Sequence, residues 1–200
     1  MSASANPYYS IRAIATRHKI STAVVAGVVS THLATIWGFW LHGIGLPDLD
    51  FNSLNGQEVL PKASPTTQFF TGAVAHYTTG ICFALIFAFV IHVFLPWRNT
   101  IVGNVTKALL WGLVLAIGSV TFMLPRVYYP HGHLGFFSHN LGFKMVFAVF
   151  VWHAIYGLVL GLIYSPLPDD EVIESQTEIQ KVGVNGYASD SALRTSELVH

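Results

Sequence analysis

Four long apolar runs, at positions 20–44, 68–95, 100–124 and 141–165, alternate with short polar stretches along the 200-residue chain. Each exceeds the ~20 residues that an α-helix, rising about 1.5 Å per residue, needs to cross a hydrocarbon core ~30 Å thick. Each is followed by a proline, at 47, 96, 125 or 166, a residue without the N–H that a continuing helix requires. The pattern predicts an all-α membrane fold, a left-handed four-transmembrane-helix bundle over residues 20–166 with short connections. Residues 1–19 are polar and basic and read as a short amphipathic or unstructured cytoplasmic lead. Residues 167–200 have scattered Ser and Thr, few aromatics and no sustained periodicity, which predicts a disordered acidic cytoplasmic tail.

Two of the runs share a pattern. His76-x3-Gly80-x3-Ala84-Leu85-Ile86-Phe87 in the second matches His153-x3-Gly157-x3-Gly161-Leu162-Ile163-Tyr164 in the fourth. Both runs cross in the same direction, so the chain reads as two tandem helical hairpins, a parallel duplication. Small residues every fourth position also let helix backbones approach closely, and a histidine on such a ridge is expected to point at a neighbouring helix.

Composition agrees with the pattern. Only 10% of residues are charged, against about 25% in a soluble domain, so lipid has to solvate most of the surface. The zero net charge hides an asymmetry: seven of the ten acids lie after Pro166, leaving Asp48, Asp50 and Glu58 in the body. A basic body suits an anionic membrane surface, and without any run of Lys and Arg no nucleic-acid partner is expected. Arg12, Arg17, Lys19, Arg98 and Lys107 outweigh Lys62, Arg126 and Lys144 across the membrane, which predicts a multi-pass protein of the cell (inner) membrane with both termini cytoplasmic. The first apolar run lacks a small-residue cleavage site and reads as an uncleaved span. The single cysteine, Cys82, sits inside an apolar run and reads as a small hydrophobe.

The candidate chemistry is histidine. Counted from the cytoplasmic end, His32 lies about twelve residues into the first span, near the bilayer middle, and His76 and His153 fall at similar depth in spans two and four. These three are expected to meet in one layer. A buried ionisable group within a span is costly and is therefore a functional candidate. Three readings stay open for them: helix-to-helix hydrogen bonding, ligation of a metal or haem, and a proton relay. Copper, zinc and haem all suit imidazole, and the spacing does not choose among them. His131-Gly132-His133, His139 and His42, with Asp48 or Asp50, form a second candidate, a zinc or copper site toward the outer face, against the alternative of solvated loops. Asp48-Leu49-Asp50-Phe51-Asn52 opens like a calcium loop, but Ser53 and Val59 stand where Gly and Glu are needed. Asp48 is then expected to cap a short interfacial helix after Pro47.

No Asp or Glu occurs within a span, which argues against a coupled transporter. No Gly-x-Ser-x-Gly elbow or glycine-rich phosphate loop is present either.

The Gly45-Leu46-Pro47-Asp48-Leu49-Asp50 stretch, the His76 pattern and His153-Ala154-Ile155-Tyr156-Gly157 together resemble a domain-of-unknown-function family of small four-span bacterial integral membrane proteins. The likeness runs over residues 26–166 and implies a fold and a location without an activity. The His-Gly-His loop and His42 lie outside the family pattern. The expectation from sequence is a small integral membrane subunit or accessory protein, redox- or metal-linked, with other membrane subunits or further copies of the chain as partners. The alternatives are a metalloprotein or haem protein with its centre in the outer half of the bundle, and a small-molecule or metal-ion transporter.

Overall fold

The computed structural model describes residues 7–168 apart from Arg98, and the side chains from Ile11 onward. The expectations for the first six residues and for the acidic tail from 169 lie outside the described residues. Among the described residues the fold is all-helical, and four helices are long and apolar enough to cross a membrane. This is a multi-pass membrane protein built as a four-helix bundle.

Helix α1 (Pro7–Arg17) leads into α2 (Lys19–Ile44), whose last turn tightens to 3₁₀ geometry over Leu41–Ile44. Gly45, at φ +78°, closes α2 in the left-handed conformation that a residue without Cβ adopts freely. A short helix, α3 (Phe51–Val59), follows, then α4 (Pro65–Phe94). After a tight turn come α5 (Ile101–Tyr128), a long loop, and α6 (Phe143–Ile163). The long-loop end of the bundle carries residues 45–64 and 129–142, and the tight-turn end carries residues 95–97 and 99–100.

The starts are capped as their sequences dictate. Ser64 accepts from Thr67 N with Pro65 in the first turn, and Thr100 accepts from Gly103 N. Asp50 caps α3, accepting from Ser53 N at 3.0 Å. That corrects the expectation for Asp48. The chain leaves α2 in extended form, Leu49 N donating back to Gly38 O, and so the helix begins two residues later than Pro47 suggests.

Pro125 corrects a second expectation, because α5 does not stop before it. The helix widens to π-type hydrogen bonding over Ser119–Tyr128 and runs through the proline. The wider turn makes room for the ring and shifts the bond that proline cannot make onto the carbonyl five residues back, that of Val120. Ser138 supplies the missing donor to that oxygen. A second π-type turn, Phe87–Ile91, interrupts α4. Two of the four spans are thus irregular, where the sequence predicted unbroken helices.

Small residues set the packing. α2 lies against α4 and α6, α5 lies against α6, and α3 crosses α4. A Cβ added at Gly27 would come within 2.8 Å of Ile81 Cα on α4, and one at Gly161 within 2.7 Å of Val105 Cα on α5. The ridge containing His76 therefore seats on α2 and that containing His153 on α5, each on the preceding span of its own hairpin. Gly56 of α3 and Gly72 of α4 meet so closely that a Cβ on either would strike the other helix's backbone. α4 and α5 touch near the tight turn and diverge toward the long-loop end, where α3 reaches across the opening between them.

Candidate functional site

The divergence of α4 from α5 leaves a cavity of about 390 Å³ between α3, α4, α5 and α6. Hydrogen bonds brace its two ends. Toward the tight turn, Trp111 Nε1 donates to Phe83 O at 3.2 Å and the Tyr156 hydroxyl to Gly80 O at 2.8 Å. Toward the long loops, the Tyr128 hydroxyl donates to Asn55 Oδ1 at 3.0 Å and Phe51 closes the roof. On the side between α4 and α5 the lining includes Val114 and Phe122, which are 55% and 61% exposed on the bundle surface. In a bundle that crosses a bilayer, that side faces acyl chains.

His76 and His153 both line this space, and they are 9% and 7% exposed. Their rings flank the same indole: ring centroids lie 5.3 Å (His76) and 4.9 Å (His153) from that of Trp152. Both also pack on Phe51, at 5.7 Å and 6.5 Å. The repeat in the sequence thus places two equivalent imidazoles from two spans at one cavity.

Hydrogen bonding fixes what each ring offers. His153 Nδ1 lies 2.8 Å from Val149 O, a carbonyl that can only accept, so Nδ1 carries the hydrogen. In the neutral ring Nε2 is then a lone pair, and the Ser119 hydroxyl approaches it at a long 3.3 Å. His76 Nε2 is buried with no hydrogen-bond partner. Such a group costs about 1–3 kcal/mol unless something satisfies it. Among the described residues, no Lys, Arg, Asp or Glu lines the cavity.

His32 does not join them. The buried stripe of α2 runs through Ala23, Ala26, Gly27, Ser30, Thr31, Ala34 and Thr35. His32 falls outside that stripe, on the bundle surface, where Nδ1 meets the Tyr77 hydroxyl at 2.6 Å. The expected three-histidine layer is a pair.

The outer histidines are not brought together either. His42 Nδ1 pairs with Asp48 at 2.8 Å, and this contact holds the Asp48 carboxyl below its ordinary range. Asp50 is committed to capping α3. His131, His133 and His139 are all exposed, and His139 Nδ1 donates to Phe136 O of its own turn. The left-handed backbone at Phe137 and Ser138 folds that imidazole back on its loop. Among the described residues no group of three or more His, Cys, Asp or Glu is arranged to hold a metal ion.

Comparison of the chain with protein-family models, curated proteins and solved structures finds no match.

Sequence reasoning missed most of the cavity wall. Trp152 was legible only as the neighbour of His153. Ser119 and Thr79 were polar positions within spans. Phe51, Asn55 and Tyr128 sit in loop-side segments whose return to the cavity no local pattern signals.

Proposed function

We propose that this protein is a small integral membrane accessory protein that binds a small, neutral, lipid-soluble molecule in the lateral cavity between α4 and α5. The observation that carries the reading is the pair of inward imidazoles, His76 with an unpartnered buried Nε2 and His153 with a lone pair at Nε2, in an aromatic-walled space whose other polar groups are all neutral, among them the unpartnered indole N–H of Trp152. A cavity of this size with a few convergent polar groups is the usual form of a small-molecule site. The donor set stops at two imidazoles, fewer protein ligands than the usual structural or catalytic zinc sites use. Haem carboxylates would find no cation along the wall among the described residues. A neutral occupant fits both facts.

In this reading the protein lies in the cell (inner) membrane with both termini in the cytoplasm and the long-loop end outside, as the excess of Arg and Lys at the tight-turn end favours. Other membrane subunits, or further copies of the chain, receive or supply the molecule along the bilayer.

Gly118 provides the test. It lines the cavity, and a Cβ added there meets nothing within 4 Å, so Gly118→Leu fills the space without forcing the helices apart. Protein purified in mild detergent and extracted with organic solvent is expected to release an enriched lipid-soluble compound, seen by mass spectrometry, that is depleted from Gly118→Leu. Equal recovery from both proteins would refute the cavity reading. A stoichiometric metal or a Soret band in the wild-type protein would replace it with the ligation reading.

A further inference from the structure

Resting on that reading, we infer that the molecule carries a phenolic ring with an apolar tail, its hydroxyl donating to His153 Nε2 and its ring lying among Phe51, Trp152 and Tyr128.

His153 Nε2 fixes the polarity of the site. Because His153 Nδ1 is held by Val149 O, the neutral ring turns only an acceptor toward the cavity. An occupant that satisfies His153 must therefore bring a hydrogen-bond donor, which a quinone, ketone or ether lacks; the buried Trp152 Nε1, a donor without a partner, is left for a ligand oxygen to accept from. Ser119 stands beside the same nitrogen at 3.3 Å, a long contact that a ligand hydroxyl can supplant at better geometry. The wall adjoining His153 is aromatic, and Phe51, Trp152 and Tyr128 give a flat ring face and edge contacts. His76, on the other side of Trp152, leaves Nε2 for a second polar substituent such as the other oxygen of a hydroquinone.

Charge and access complete the specification. With no charged side chain on the wall among the described residues, the site suits a ligand that enters uncharged. A phenol, with an ordinary pKa of about 10, is neutral at physiological pH and still a strong donor. The opening beside Val114 and Phe122 leads into acyl chains, so a tail on the ring can remain in the bilayer while the head group is inside.

The test uses a matched pair of probes, a 4-alkylphenol and the corresponding 4-alkylanisole, in which a methyl replaces the hydroxyl hydrogen and removes the donor; an anisole with its tail shortened by one carbon keeps the apolar content equal. Binding to the full chain in lipid nanodiscs is measured by calorimetry or by quenching of tryptophan fluorescence. The phenol is expected to bind about tenfold more tightly or better, the preference appropriate to one buried acceptor left unsatisfied by the ether. His153→Phe is expected to bring the two affinities together, and Ser119→Ala to keep or raise the preference, since it removes the competing hydroxyl. A merely structural serine would not do the latter. Circular dichroism and size-exclusion profiles confirm that each variant is folded. If wild-type protein binds both probes equally, and Gly118→Leu excludes both, the phenolic assignment falls while the cavity reading stands. If neither probe binds, or Gly118→Leu changes neither, the cavity reading falls with it. Equal binding of a 4-alkylcyclohexanol would overturn the requirement for an aromatic ring.

Discussion

The hydroxyl of Ser138 donates to the backbone oxygen of Val120 at 2.6 Å, from a residue held at φ +52° in the long loop. Both partners are buried. Val120 is the carbonyl that π-type hydrogen bonding would otherwise assign to Pro125, so the loop repairs the gap that the proline leaves in α5.

This pairing predicts a coupled pair of mutations. Ser138→Ala leaves a buried carbonyl bare and is expected to destabilise the protein by about 1–3 kcal/mol. Pro125→Ala restores a backbone N–H, so the loss caused by Ser138→Ala should shrink in the Pro125→Ala background. Thermal unfolding in a fixed detergent measures both, and strictly additive effects would contradict the repair.

The crossing of α3 over α4 depends on Gly56 and Gly72. An alanine at either meets backbone rather than a flexible side chain, so the helices must separate. Gly72→Ala is expected to cost about 1–3 kcal/mol and to loosen Phe51 from the cavity roof. A thiol placed at Phe51 in a Cys82→Ser protein should then react faster with a soluble maleimide in Gly72→Ala than without it.

The histidines should separate into two classes. His32→Ala breaks a surface contact with Tyr77 and is expected to change stability by less than about 1 kcal/mol, leaving the cavity unaltered. His76→Ala leaves a hole beside Phe51 and Trp152 in the buried layer and should cost about 2 kcal/mol or more, net of the relief from removing the bare Nε2. Equal losses from the two would contradict the buried pair and the surface placement of His32.

Asp48 lies outside the spans, and its carboxyl is held below the ordinary value by the hydrogen bond from His42. A carboxyl depressed in the folded state contributes an interaction that is complete above its unfolded value, about 3.9. It is lost as pH falls through the lower folded value. The pair is exposed, so the loop contact rather than global stability should report it. The Asp48 carboxyl resonance is expected to titrate below 3.9 in the wild type and to rise toward that value in His42→Ala, which removes the imidazole but keeps the backbone N–H that also donates to Asp48. An unchanged midpoint would show that His42 does not hold it.

Four apolar runs, their lengths and their glycine ridges are local properties, and the bilayer acts on each of them independently. That is why the spans, the helical bundle and the inward aim of His76 and His153 were legible from the chain alone. The repeat His-x3-Gly even named the two residues that share the cavity. The fate of Pro125 was not legible, because whether a proline ends a helix depends on who can satisfy the carbonyl it abandons, and Ser138 arrives from another segment. His32 has the depth of the other two but a different azimuth, and azimuth is settled only when Ala23, Ala26 and Ala34 find their neighbours on other helices. The cavity is a matter of tertiary structure altogether: it exists because α4 and α5 diverge while α3 bridges them, and the space between helices belongs to no single segment of the sequence.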